Sequence, residues 1–267
     1  MFVKKNVYIT MLFMSLLLFC ITSCEEKTEE VMTSSEVVEE ISVESVEESV
    51  IEESVYIEEK SVDNYQKEAL PPPKAAVDES YFDDAVFIGD SRTQGFIYYN
   101  GLVNAISYVD KGLNVDTALN KQVIKLNDSY YTVPEALKAG KSFKKVYIML
   151  GINELGWVYS DIFIEKYSML IDKIKEVNPD AVIYVQSILP VTEEKSNSDE
   201  IYNMEKINGY NTLIKAMAEE KGLKFLNVSE SVADENGFLP KEAASDGIHL
   251  KKSYCALWLE YLKNNVV

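Results

Sequence analysis

Histidine occurs once in this chain of 267 residues, and cysteine three times. A zinc site draws about four ligands, mostly His and Cys, at set spacings, so no metal is expected. A disulfide-dense scaffold is excluded on the same count. Basic side chains are scarce as well: 26 Lys and Arg stand against 44 Asp and Glu, a formal net charge of -18. Nucleic-acid binding needs a basic surface to neutralise phosphates, and it is not expected here. Long apolar runs are missing too. The stretch at residues 7–22 holds 16 mostly apolar residues, short of the roughly 20 that a membrane-spanning helix needs. What is not lacking is core material, since 47% of the residues are hydrophobic, and the chain is expected to fold.

The charge is concentrated. Residues 25–69 contain 16 acidic and 3 basic side chains, whereas residues 70–267 contain 28 and 21. Ahead of the acidic segment the chain opens MFVKKN, followed by the apolar stretch and then Ser23-Cys24. A short basic start, an apolar middle and small residues at the end form the layout of a secretory signal. Ile21-Thr22-Ser23-Cys24 resembles the bacterial lipobox, which implies that residues 1–23 are a signal peptide and that Cys24 carries lipid. The expected location is the outer face of a bacterial cell membrane. Residues 24–76, nearly all Glu, Ser and Val at first and closed by Pro71-Pro72-Pro73, read as a solvated stalk that like charges extend. A domain is expected from residue 77 to 267. Cys255, between Tyr254 and Ala256 in a run that reaches Trp258, is expected to be a buried thiol.

Short apolar runs at residues 85–88, 106–109, 145–150, 181–188 and 224–227 read as strands. Helical periodicity covers residues 161–177, 200–221 and 251–263, with Asn178-Pro179 and Gly222 as stops. Residues 123–125 and 130–132 flank Asn127-Asp128 and suggest a hairpin. Apolar strands alternating with helices imply an α/β fold, a parallel sheet of about five strands covered on both faces. In such folds ligands meet the carboxyl ends of the strands. Those ends carry Asp90-Ser91, Asp110-Lys111-Gly112, Gly151-Ile152-Asn153-Glu154, and the segment holding Asp246 and His249.

These residue types suit acyl transfer. A hydroxyl nucleophile needs a base within hydrogen-bond reach, and the base needs an orienting acceptor. Ser91 at a strand-to-helix turn, His249 as the sole imidazole and Asp246 three residues before it supply the three roles. The Ser91 N–H, a Gly112 N–H and the Asn153 amide could hold an oxyanion.

Gly89-Asp90-Ser91, a glycine after the second strand, Gly151-Ile152-Asn153-Glu154 and Asp246-Gly247-Ile248-His249 together resemble the SGNH hydrolases, or GDSL esterases, in order and spacing. The resemblance implies a three-layer flavodoxin-like fold, ester hydrolysis by Ser91 and His249, an oxyanion hole of Ser91, Gly112 and Asn153, and no cofactor. Two positions depart from the family pattern. Glu154 stands where Asp is usual, and Arg92 follows the serine where Leu or Ile is common. Arg92 beside the nucleophile suggests a polar or anionic substrate group or an arginine turned to solvent. Glu154 is counted with it as a candidate substrate contact, and Trp157 as either a binding residue or a packing one. The expected substrate is a small-molecule or glycan ester with a short acyl group such as acetyl, and a monomer is expected. An acyltransferase acting on glycan hydroxyls, or a silent binding lipoprotein on the same fold, are the alternatives.

Overall fold

The computed structural model describes residues 75–266. The signal, Cys24 and nearly all of the stalk lie outside the described residues. Val77 N–H donates to the Lys263 carbonyl at 3.0 Å, and Asp78 then caps a short 3-10 turn at Glu79–Phe82.

Five strands form one parallel sheet. They are β1 (Ala85–Gly89), β2 (Ile106–Val109), β5 (Lys145–Met149), β6 (Val182–Gln186) and β7 (Lys224–Leu226), ordered β2-β1-β5-β6-β7. Counting only these five, the order is the 2-1-3-4-5 of flavodoxin-like sheets. The helices are α1 (Ser91–Asn100), α2 (Val115–Asn120), α3 (Val133–Ala139), α4 (Ser160–Val177), α5 (Glu193–Ser198), α6 (Met204–Glu220) and α7 (Lys252–Asn264).

Strand side chains alternate between two cores, as a period of two requires. Val86 and Ile88, Val146 and Ile148, and Ile183 and Val185 join Leu170, Ile174 and Ile214 of α4 and α6 on one face. Ala85 and Phe87, Tyr147 and Met149, and Tyr184 join Phe96, Trp258 and Leu262 of α1 and α7 on the other. Phe87, Tyr147 and Tyr184 are register partners across three strands. Their rings stack, with centroids 5.0 Å apart at 13° and 4.5 Å apart at 6°. Both faces of the sheet are therefore sealed by apolar contact, and polar groups gather at the strand ends. Cys255 is buried in the second core, and burial pushes its thiol up to about 11.

Three local outcomes differ from the sequence pattern. Residues 200–221 do not start a helix together: α6 begins at Met204, capped by the Asn203 side chain. Asp199 accepts the N–H groups of Ile201 and Tyr202 at 2.8 and 2.9 Å, a local turn that competes with the helix. The short helices α2, α3 and α5, capped by the Asn114, Thr132 and Thr192 side chains, have no counterpart in the expected elements. The hairpin pairs β3 (Ile124–Leu126) with β4 (Ser129–Tyr131), Ile124 opposite Tyr131. Its strands run one residue closer to the turn than expected because Asn127 takes a left-handed φ of 54°.

Candidate active site

Register places the ends of three neighbouring strands level. Gly89 of β1 faces Val109 of β2 and Met149 of β5, so the chain leaves all three at the same height. Asp90 caps α1, its buried carboxyl accepting the Arg92 N–H at 2.8 Å. Ser91 thus occupies the first helical position, where the backbone N–H has no intrahelical acceptor.

The Ser91 hydroxyl lies 2.9 Å from His249 Nε2, and His249 Nδ1 lies 2.6 Å from Asp246 Oδ2. The other Asp246 oxygen accepts the Ile248 and His249 N–H groups at 3.0 and 2.8 Å. Partial burial opposes ionisation of Asp246. The hydrogen bonds from the His249 backbone and ring and from Ile248 outweigh it and hold the carboxyl at about 2. An ionised Asp246 accepts only, so the neutral ring carries its proton on Nδ1 and offers Nε2 as acceptor to the serine hydroxyl.

The loop bearing His249 is held from behind. Gly247, at φ 80°, comes so close to α5 that a Cβ there would lie 2.7 Å from Thr192 Oγ1. Its carbonyl accepts the Thr192 N–H at 3.0 Å.

Gly112 lies in an exposed turn closed by Leu113 N–H on the Asp110 carbonyl at 3.1 Å, at a φ of 73° that favours glycine. Asn153, in the turn after β5, donates one amide hydrogen to the Leu113 carbonyl at 3.0 Å. A second amide hydrogen remains available. The Gly112 turn and the Asn153 turn are thereby tied together beside the end of β1.

Two of the three expected substrate contacts, Arg92 and Glu154, prove to be buried. Arg92 is 3% exposed: its side chain turns inward and not to solvent, although the residue borders the cleft over Ser91. Its guanidinium donates to the Leu189 and Pro190 carbonyls at 2.9 and 2.7 Å, and burial lowers it to about 10 against the pull of Asp90 and Asp246. Glu154 is 0% exposed and accepts the Val115 N–H at 2.8 Å. Burial pushes its carboxyl up to about 8. Trp157 is half-buried against the core beneath α4 and α6.

An open cleft of about 740 Å³ lies over Ser91 and His249, and Gln94, Tyr98, Tyr99, Lys111 and Leu250 also line it. Sequence reasoning passed over Gln94, Tyr98 and Tyr99, and placed Lys111 at the rim without giving it a role. A signal was present: positions 94 and 98 follow Ser91 at helical spacing on one face. Among the described residues no cluster of His, Cys, Asp or Glu could hold a metal ion, and no helix is long and apolar enough to cross a membrane.

Comparison with solved structures finds the same fold at low identity. A GDSL-like lipase from Bacteroides thetaiotaomicron is 18% identical with a TM-score of 0.50, covering 71% of this chain and 89% of its own. A variant of an acetyl-xylooligosaccharide esterase from Geobacillus stearothermophilus is 17% identical with a TM-score of 0.50, covering 68% and 94%. An acetyl xylan esterase is 15% identical with a TM-score of 0.50, covering 68% and 99%. A search of curated proteins returns no match. The family model for GDSL-like lipase/acylhydrolases matches residues 87–253, from the middle of β1 to the start of α7. With that match spanning more than half of the sequence, the chain belongs to the GDSL-like lipase/acylhydrolase family and is an ester hydrolase of the SGNH type.

Proposed function

We propose that this protein is a membrane-anchored serine esterase that removes short acyl groups, acetyl in particular, from carbohydrate esters. The observation that carries the mechanism is the unbroken relay from Ser91 through His249 to Asp246, at 2.9 and 2.6 Å. Ser91 Oγ attacks the ester carbonyl as His249 Nε2 takes its proton. The tetrahedral oxyanion is held by the Ser91 and Gly112 N–H groups and the free Asn153 amide hydrogen. His249 returns the proton to the leaving alcohol, and an acyl-serine remains. Water then attacks the acyl carbon, giving its proton to His249. The carboxylic acid departs, and Ser91 recovers its hydrogen. Asp246 stays ionised throughout and steadies the imidazolium.

A short acyl group is supported by the open form of the cleft over Ser91. Two structural neighbours, an acetyl xylan esterase and a variant of an acetyl-xylooligosaccharide esterase, agree with a carbohydrate substrate. The lipobox-like residues 21–24 support anchoring outside the cytoplasm. The test is a panel of acetylated glycans and of short- and long-chain aryl esters, with Ser91→Ala as control. Release of acetate from glycans and short esters by the wild type alone is expected. A preference for long-chain esters, or activity surviving in Ser91→Ala, would refute the reading.

A further inference from the structure

The cleft has a direction. His249 must protonate the leaving oxygen, so the alcohol part of the substrate departs on the side where His249 stands. The same cleft, lined by His249 and Leu250, continues along the outer face of α1 past Gln94 to Tyr98 and Tyr99. Seven residues of helix separate Ser91 from Tyr98, a rise of about 10 Å.

That face is unusual for a helix packed on a sheet. Tyr98 is 78% exposed and Tyr99 39% exposed. Their rings meet edge to face with centroids 5.3 Å apart. Between them and the nucleophile lies Gly95. A glycine inside a helix costs about 1 kcal/mol relative to alanine, and a Cβ here would touch only the Tyr99 ring, at 3.9 Å. Packing therefore does not demand glycine at this position. What Gly95 does is keep the floor of the cleft low between Ser91 and the tyrosines. Lys111, exposed and in no ion pair among the described residues, faces the same space from the β2–α2 turn.

We propose that Tyr98 and Tyr99 form a stacking platform for a sugar ring on the alcohol side of the scissile ester, with Gln94 and Lys111 hydrogen-bonding its hydroxyls. The inference rests on the esterase reading above and adds where specificity resides. A sugar suits the site because its C–H face covers an aromatic ring while its hydroxyls stay in water or meet polar side chains. Tyrosine serves this use, offering an apolar body with a polar tip. A long acyl chain would leave most of its surface wet on so open a ledge.

The experiment compares wild type, Tyr98→Ala and Tyr98→Trp on acetylated xylo-oligosaccharides, peracetylated xylobiose and 4-nitrophenyl acetate. The readout is the ratio of kcat/KM on each sugar ester to that on the aryl ester. Loss of the ring removes the apolar surface that the sugar's C–H face would cover, so the ratio should fall roughly tenfold in Tyr98→Ala, mainly through KM. Tyr98→Trp should restore it, because the platform needs a ring and not a hydroxyl. An unchanged ratio in Tyr98→Ala, or a wild type that cleaves the aryl ester but none of the sugar esters, overturns the platform and leaves esterase activity standing. A wild type inert on 4-nitrophenyl acetate overturns both.

Discussion

At the scale of single residues, the site separates groups that do chemistry from groups that hold them. His249→Ala should lower kcat by about 10⁴-fold or more, as loss of a triad base does elsewhere, and the chain has no other imidazole to replace it. Asp246→Asn should cost less than His249→Ala. Rates on a soluble acetyl ester check both; near-normal turnover by His249→Ala would end the mechanism. Asn153→Ala should lower kcat by about 10²–10³-fold, the usual cost of one oxyanion donor, and a chemistry-limited ester on which kcat is unmoved would remove Asn153 from that role. Glu154 belongs to the holding group, and its prediction concerns stability. Its carboxyl titrates at about 8 when buried and near the ordinary 4.5 when unfolded. Between those values the native state keeps a proton that the unfolded chain has released. Stability from this group is thus complete below about pH 4.5 and is lost as pH rises toward 8, by a few kcal/mol at most. Glu154→Gln should flatten the fall in melting temperature between pH 5 and 8, though Asp90, also raised by burial, keeps part of the slope. Identical slopes in the two proteins would contradict this.

Among the elements, β1, β5 and β6 were legible because each is a near-continuous apolar run buried on both faces, whereas the edge strands β2 and β7 are shorter and partly exposed. The site motifs were legible for a related reason: Gly-Asp-Ser, Gly-Ile-Asn-Glu and Asp-Gly-Ile-His each sit where an apolar run stops or a helix begins. Side-chain direction was not. Arg92 next to a nucleophile invites an electrostatic role toward substrate, but at the second position of α1 its side chain reaches inward to the segment after β6. There it meets the Leu189 and Pro190 carbonyls. That segment leads to Thr192, which supports Gly247 and so the turn bearing His249. No local pattern announces a contact between residues 97 and 98 positions apart. The consequence is measurable. Arg92→Met strands two buried carbonyls, at about 1–3 kcal/mol for each unsatisfied group, and should lower the unfolding free energy by about 2–5 kcal/mol. Arg92→Lys, which can satisfy one carbonyl at a time, should fall between. Urea denaturation of the three proteins measures this, and a loss below about 0.5 kcal/mol in Arg92→Met would show that the carbonyls find other partners.

At the scale of the whole molecule, the proposed address and the chemistry occupy different parts of the sequence. The excess charge sits in residues 25–69, whereas the relay, the loops beside it and the cleft are all built from residues 89–250. Every nucleophile, base and oxyanion donor in the proposed mechanism lies among the described residues 75–266. If Cys24 carries lipid, its acyl chains together exceed the single chain that gives only reversible membrane binding, and removing the thiol removes the attachment site for all of them. Cys24→Ser should therefore release the protein from the membrane fraction or stall its processing, while kcat/KM on 4-nitrophenyl acetate stays within about twofold of wild type, since a shift of 1.4 kcal/mol would be needed for a tenfold change. Fractionation with mobility on denaturing gels reads the first effect, and the aryl-ester assay on detergent extracts reads the second. Unchanged retention and mobility in Cys24→Ser would defeat lipid anchoring. A large loss of rate in a folded Cys24→Ser protein would instead show that the N-terminal segment takes part in the chemistry, against the location of every group in the relay.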